Sequence, residues 1–87
     1  MKIDPDYELI SEIRKRSAMG VTPAAILHWL ATGGLCQPEM MIQLQAAFGL
    51  DLSEVSCIDG WTPDGKGELK DADINRLLEP AIISIAA

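Results

Sequence analysis

Proline and glycine punctuate this chain at intervals of roughly a dozen residues, and that spacing limits how long its helices can be. Asp4-Pro5, Thr22-Pro23 and Gln37-Pro38 each place a proline where a helix can begin. There the missing N–H costs nothing and the fixed φ is already helical. Gly20, Gly33-Gly34 and Gly49 each follow an apolar stretch and supply a residue suited to ending one.

Between these marks the apolar residues recur at spacings of three and four. The first segment carries Tyr7, Ile10, Ile13 and Ser17 or Ala18 behind an Asp4 cap. The second carries Ile26, Leu27, Trp29 and Leu30 behind a Thr22 cap. The third carries Met40, Met41, Leu44, Ala47 and Phe48. A fourth helix is predicted from Asp51 to Gly60, because Asp51-Leu52-Ser53-Glu54 reads as a capping box. Leu50 and Val55 are spaced as its hydrophobic staple, and Cys57 and Ile58 extend its buried side. Residues 61–70 read as a loop, with Pro63-Asp64-Gly65 as its turn. Asp71 is then expected to cap a fifth helix carrying Ile74, Leu77 and Leu78, which Pro80 either kinks or ends. No long stretch alternates apolar and polar residues. The expected fold is all-α: one domain over residues 1–87, a bundle of about five short helices with an acidic loop before the last.

The chain has 87 residues, and a domain of that size buries only about 60–65% of its unfolded surface. Trp29, Phe48, Trp61, the leucines and the isoleucines are therefore expected to pack inward almost without exception. The adjacent Met40 and Met41 read as core filler.

Composition excludes several functions. The formal net charge is −6, from 13 acidic and 7 basic residues. Residues 1–20 are neutral, residues 21–58 carry −3 and residues 59–79 carry −3. Only Arg14-Lys15-Arg16 is a basic cluster, with Glu8 and Glu12 close behind it. That is too little cation to grip nucleic acid. The second and third segments have the order of a helix-turn-helix. The would-be reading helix, Pro38 to Phe48, offers Glu39, Gln43 and Gln45 but no Arg or Lys, so a DNA-binding regulator is the least supported reading. Apolar runs such as Ala81-Ile82-Ile83, resuming after Ser84, fall far short of the roughly 20 residues that span a bilayer. Met1 to Asp6 has no apolar core of the kind an export signal needs. The expected compartment is the cytoplasm, with no membrane partner.

No catalytic set emerges. His28 is the only histidine, and it sits beside Trp29 as a hydrogen-bonded or partly exposed helical residue. Cys36 and Cys57 read as reduced, partly apolar thiols. Two cysteines and one histidine lack the paired spacing of a structural zinc site. A calcium loop fails on its register. With Gly65 at the sixth position, the first falls on Gly60, which has no carboxylate, and the twelfth on Asp71, one carbon short of glutamate. No enzyme, metal or cofactor is expected.

What remains is an acidic surface. Asp59, Asp64, Glu68, Asp71 and Asp73 crowd around Trp61, and these six residues are the candidate partner-binding set. Carboxylates so placed suit a basic partner, since complementary charge speeds encounter and orients docking.

Three stretches carry a family likeness: Ala47-Phe48-Gly49-Leu50-Asp51-Leu52-Ser53-Glu54-Val55, Ile58-Asp59-Gly60-Trp61, and Asp64-Gly65-Lys66-Gly67-Glu68-Leu69-Lys70-Asp71. They resemble the small helical immunity proteins found beside bacterial polymorphic toxins and contact-dependent inhibition systems. The resemblance spans residues 20–80 loosely and 47–71 more closely, while the Ala-rich C-terminus has no counterpart. It implies a non-catalytic immunity protein that binds and neutralises a cognate toxin domain. A basic, nuclease-like toxin would suit the acidic loop. The alternatives are a non-catalytic adaptor or a phage-encoded inhibitor that mimics the charge of nucleic acid.

Overall fold

A computed structural model describes residues 5–86, and side chains through residue 82. The described residues form five α-helices and no strand. These are α1 (Tyr7–Ala18), α2 (Pro23–Thr32), α3 (Gln37–Phe48), α4 (Leu52–Val55) and α5 (Asp71–Ala86). A 3₁₀ turn, Ser56–Gly60, follows α4 directly. The fourth helix expected from Asp51 to Gly60 is thus one α-turn that tightens into 3₁₀ geometry, as short helices do at their ends.

The punctuation acts largely as anticipated. Thr22 Oγ1 accepts from the Ala25 N–H at 3.3 Å, and Pro23 opens α2. Gly49 ends α3 in a left-handed conformation, φ 65°. Glu54 reaches back to the Asp51 N–H at 2.9 Å, as a capping box should. Leu50 and Val55 are both buried.

Two caps differ from expectation. Asp6, not Asp4, caps α1, its carboxylate accepting from the Glu8 and Leu9 N–H groups at 3.1 and 3.2 Å. Pro5 therefore lies outside the helix, and Asp4 lies outside the described residues. The shift makes Tyr7 the first helical residue. Its side chain points back past the helix end and is 83% exposed rather than packed. At α5, Asp73 accepts from the Lys70 N–H at 2.9 Å, so Lys70 takes the cap position and Asp71 the first helical one. α5 continues through Pro80. Proline brings no N–H, so the Arg76 carbonyl loses the helical bond that residue 80 would have donated.

One core cluster draws residues from every helix: Ile10 and Ile13, Ile26, Leu27 and Leu30, Met40, Leu44 and Phe48, Val55, and Ile74, Leu78 and Ile82. Met40 is buried, while Met41 is only partly covered. Trp29 is also half-buried, with the Arg16 guanidinium 4.0 Å over its ring. Leu77 departs from expectation. It flanks the inward stripe Ile74, Leu78, Ile82 and stays exposed, as does Leu52.

Polar ties lock the frame. Gln43 is buried in α3 and accepts from the Asp6 N–H at 2.9 Å. Arg14 Nε donates to the Ala47 carbonyl at 2.6 Å, a cation at the C-terminal end of α3. The Asn75 amide oxygen accepts from the Ala24 N–H at 2.9 Å, joining α2 to α5.

Candidate functional site

The start of α5 concentrates the polar chemistry. Asp73 accepts at the cap of α5, and the Asp71 carboxylate turns elsewhere. It accepts from the indole Nε1–H of buried Trp61 at 2.8 Å. It also accepts from His28 Nε2, with its two oxygens at 3.1 and 2.9 Å. An ionised carboxylate only accepts, so the His28 proton sits on Nε2. The His28 ring stands edge-on to Trp61, centroids 4.9 Å apart. The indole bond, and then the imidazole, hold the Asp71 carboxyl below the usual aspartate range. Three elements are thereby fastened together: α2 through His28, the loop through Trp61 and α5 through Asp71. Asp71 orients this imidazole much as a carboxylate orients a general base. The ring contacts described for His28 are with Asp71 and Trp61, and neither offers a hydroxyl or thiol for the imidazole to deprotonate.

The loop between Gly60 and Asp71 is closed at its neck. Trp61 and Leu69 form an isolated parallel bridge, and the Leu69 N–H donates to the Gly60 carbonyl at 2.8 Å. Gly67 passes so close to that neck that a Cβ there would lie 2.5 Å from the Gly60 oxygen. At the tip, Asp64 Oδ1 accepts from Thr62 Oγ1 at 2.6 Å and from the Lys66 N–H at 2.9 Å. Those bonds, the hydroxyl first, lower the Asp64 pKa and hold the carboxylate charged. The Lys70 ammonium folds back onto the Gly65 and Gly67 carbonyls, so the loop supplies its own cation. Among the described residues, no three His, Cys, Asp or Glu side chains gather as metal ligands.

The six candidate residues therefore divide. Trp61 is fully buried and braces the loop from beneath, so no partner can touch it in this fold. Asp64 and Asp71 line one open cavity of about 380 Å³ together with His28, Pro63, Gly65, Lys70 and Ala72. Asp73 is occupied by the Lys70 N–H and by Arg76 at 3.0 Å. Glu68 is exposed and makes no hydrogen bond or ion pair among the described residues. Asp59 is also exposed, but it borders a different groove, with Pro38, Met41, Ile42, Gln45 and Leu52. The acidic residues are thus spread over two sites, not gathered in one.

His28 is the functional neighbour that sequence reasoning set aside. Its position in α2, 43 residues from Asp71, gave no signal of the contact. The fold-back of Lys70 onto the Gly65 and Gly67 carbonyls was equally hidden. The glutamines of α3 are engaged internally: Gln37 Nε2 donates to the Trp61 carbonyl at 3.2 Å, and Gln45 Nε2 to the Leu50 carbonyl at 3.4 Å. Of the basic triplet, Arg14 is held by α3, and Arg16 by Trp29 and Glu12. Cys36 and Cys57 are free thiols, each partly buried. None of the described helices is long and apolar enough to cross a membrane.

Comparisons with protein-family models, curated proteins and solved structures find no match to this chain.

Proposed function

We propose that this chain is an immunity-type inhibitor: a non-catalytic binding protein that neutralises a basic, nuclease-like toxin domain by covering its cationic working surface. The observation that supports it best is the way the loop carries its charge. Asp64 is pinned by two hydrogen bonds and Asp71 by two side chains, so both carboxylates are held charged and in place before any partner arrives. Pre-set side chains give up little rotamer freedom on binding. Glu68 adds an exposed, unpaired carboxylate on the same loop. The chain's net charge of −6 adds long-range attraction toward a cationic protein. Asp73, half committed to Arg76, contributes less, and Trp61 acts only through the loop it supports.

Co-expression with the product of the adjacent gene tests the proposal. The neighbour alone should arrest growth, and this chain should restore it and co-purify with its target. Asp64→Lys with Glu68→Lys should slow association while leaving the helical spectrum intact. A harmless neighbour, or rescue and association unchanged by the double reversal, would overturn the reading.

A further inference from the structure

α3 is apolar on both of its sides. Met40, Leu44, Ala47 and Phe48 face the core. Pro38, Met41, Ile42 and Gln45 recur at i, i+3, i+4 and i+7, and they line the outside. With Leu52 of α4 and Asp59 of the 3₁₀ turn, they enclose a groove of about 320 Å³. Leu52 on its rim is 63% exposed, a large side chain left in water beside a partly covered Met41. An apolar stripe of this kind on a helix that already has a buried face fits a second packing partner.

The charge around the groove indicates which partner. Residues 21–65 contain no Lys or Arg at all, while carrying Glu39, Asp51, Glu54, Asp59 and Asp64. Asp59 lines the groove, and Asp51 and Glu54 belong to the short helix and cap that present Leu52. A second copy of this chain would bring net −6 against an acidic wall, and two of its three clustered cations, Arg14 and Arg16, are already engaged internally.

We infer that the α3–α4 groove is a docking site for a basic amphipathic helix, whose apolar face lies along Met41, Ile42 and Leu52 and whose lysines or arginines meet Asp59 and the surrounding carboxylates. The α3 side of the groove runs from Pro38 to Gln45, about 11 Å of helix, which suits about two turns of a partner segment. A flexible methionine in its floor lets the groove adapt to the side chain it receives. The inference rests on the reading of this chain as a binder of basic proteins and adds a second contact surface, distinct from the loop.

A fluorescein-labelled peptide of about 14 leucines and lysines, with its leucines along one helical face, is the probe. Fluorescence anisotropy should show saturable binding, and a peptide of the same composition with its leucines scattered should bind far more weakly. Leu52→Asp adds negative charge while removing the exposed apolar rim, so it separates the two contributions. The affinity of Leu52→Asp should fall by about tenfold or more despite the stronger electrostatic attraction. Ile42→Ser should act in the same direction, and Asp64→Lys with Glu68→Lys, which reduces the net negative charge without touching the groove, should weaken binding less than Leu52→Asp. Amide shifts in the titrated protein should centre on residues 41, 42 and 52. No binding, or binding that Leu52→Asp strengthens, would overturn the groove. If the peptide is lost on reversing Asp64 and Glu68 instead, the groove fails and the acidic loop stands. If the groove binds the peptide while the neighbouring gene product proves harmless, the inhibitor reading fails and the groove stands.

Discussion

Removing the Asp71 carboxylate should test how the loop is held, because that one group satisfies a donor the core cannot otherwise accommodate. Trp61 is fully buried, and its Nε1–H has Asp71 Oδ1 as acceptor at 2.8 Å. Asp71→Ala leaves that N–H without its partner. A buried donor left unsatisfied costs about 1–3 kcal/mol. In a domain of this size each kcal/mol lowers the melting temperature by roughly 4–8 °C, so a fall of about 5–20 °C is expected. Asp71→Asn keeps a carbonyl oxygen for the indole and should lose markedly less. Circular dichroism melts of both, with Glu68→Ala as an exposed control, provide the comparison. A double-mutant cycle with Trp61→Phe isolates the bond, since the coupling survives subtraction of the cavity that the smaller ring leaves. A fall for Asp71→Ala no larger than for Glu68→Ala, or zero coupling in the cycle, would refute the reasoning.

Other perturbations follow from the same geometry. Asp71 and Asp64 have folded pKa values below their unfolded ones, so their contribution is complete above the unfolded aspartate value of about 3.9 and is lost as pH falls through the folded values. The melting advantage of wild type over Asp71→Asn should therefore be present at neutral pH and shrink below that value. Gly67→Ala forces a Cβ against the Gly60 carbonyl, which is backbone and cannot swing aside. Loss of the loop-neck amide protection at Leu69 by hydrogen exchange should report the displacement. Leu44→Ala and Phe48→Ala should each cost about 3 kcal/mol in denaturant titrations, and unchanged midpoints would remove them from the core. Burial raises the Cys57 thiol pKa, so its alkylation by iodoacetamide at neutral pH should be slower than in the denatured chain.

Most helix boundaries were legible because the signals were local. Thr22-Pro23, Gly49 and the Asp51–Glu54 box each act within four residues, and tertiary structure had no reason to overrule them. The two displaced caps have tertiary causes. Asp6 is chosen over Asp4 where α1 is anchored to α3, through the Asp6 N–H on Gln43. Asp71 gives up the cap of α5 where Trp61 and His28 claim its oxygens. Gln43 and His28 lie 37 and 43 positions from the residues they capture, and Trp61 lies ten away. The exposure of Tyr7 and Leu77 was hidden for a related reason: periodicity identifies the stripe but not how far the neighbouring helices cover its edges. For the candidate site, the acidic residues were visible as composition. Asp59, within the 3₁₀ turn, borders the α3–α4 groove, whereas Asp64 and Asp71 line the His28 cavity, a division set by three-dimensional placement.

The central claim, that carboxylates held ready on this surface capture a cationic partner, is tested most directly by stopped-flow association with the co-purified gene neighbour across a salt series. For the native chain the association rate should fall steeply as salt is raised past the point where screening reaches about 10 Å, and the dissociation rate should change little. Asp64→Lys with Glu68→Lys should start slower and show a flatter salt response. Association that is indifferent to salt in both proteins would contradict the claim.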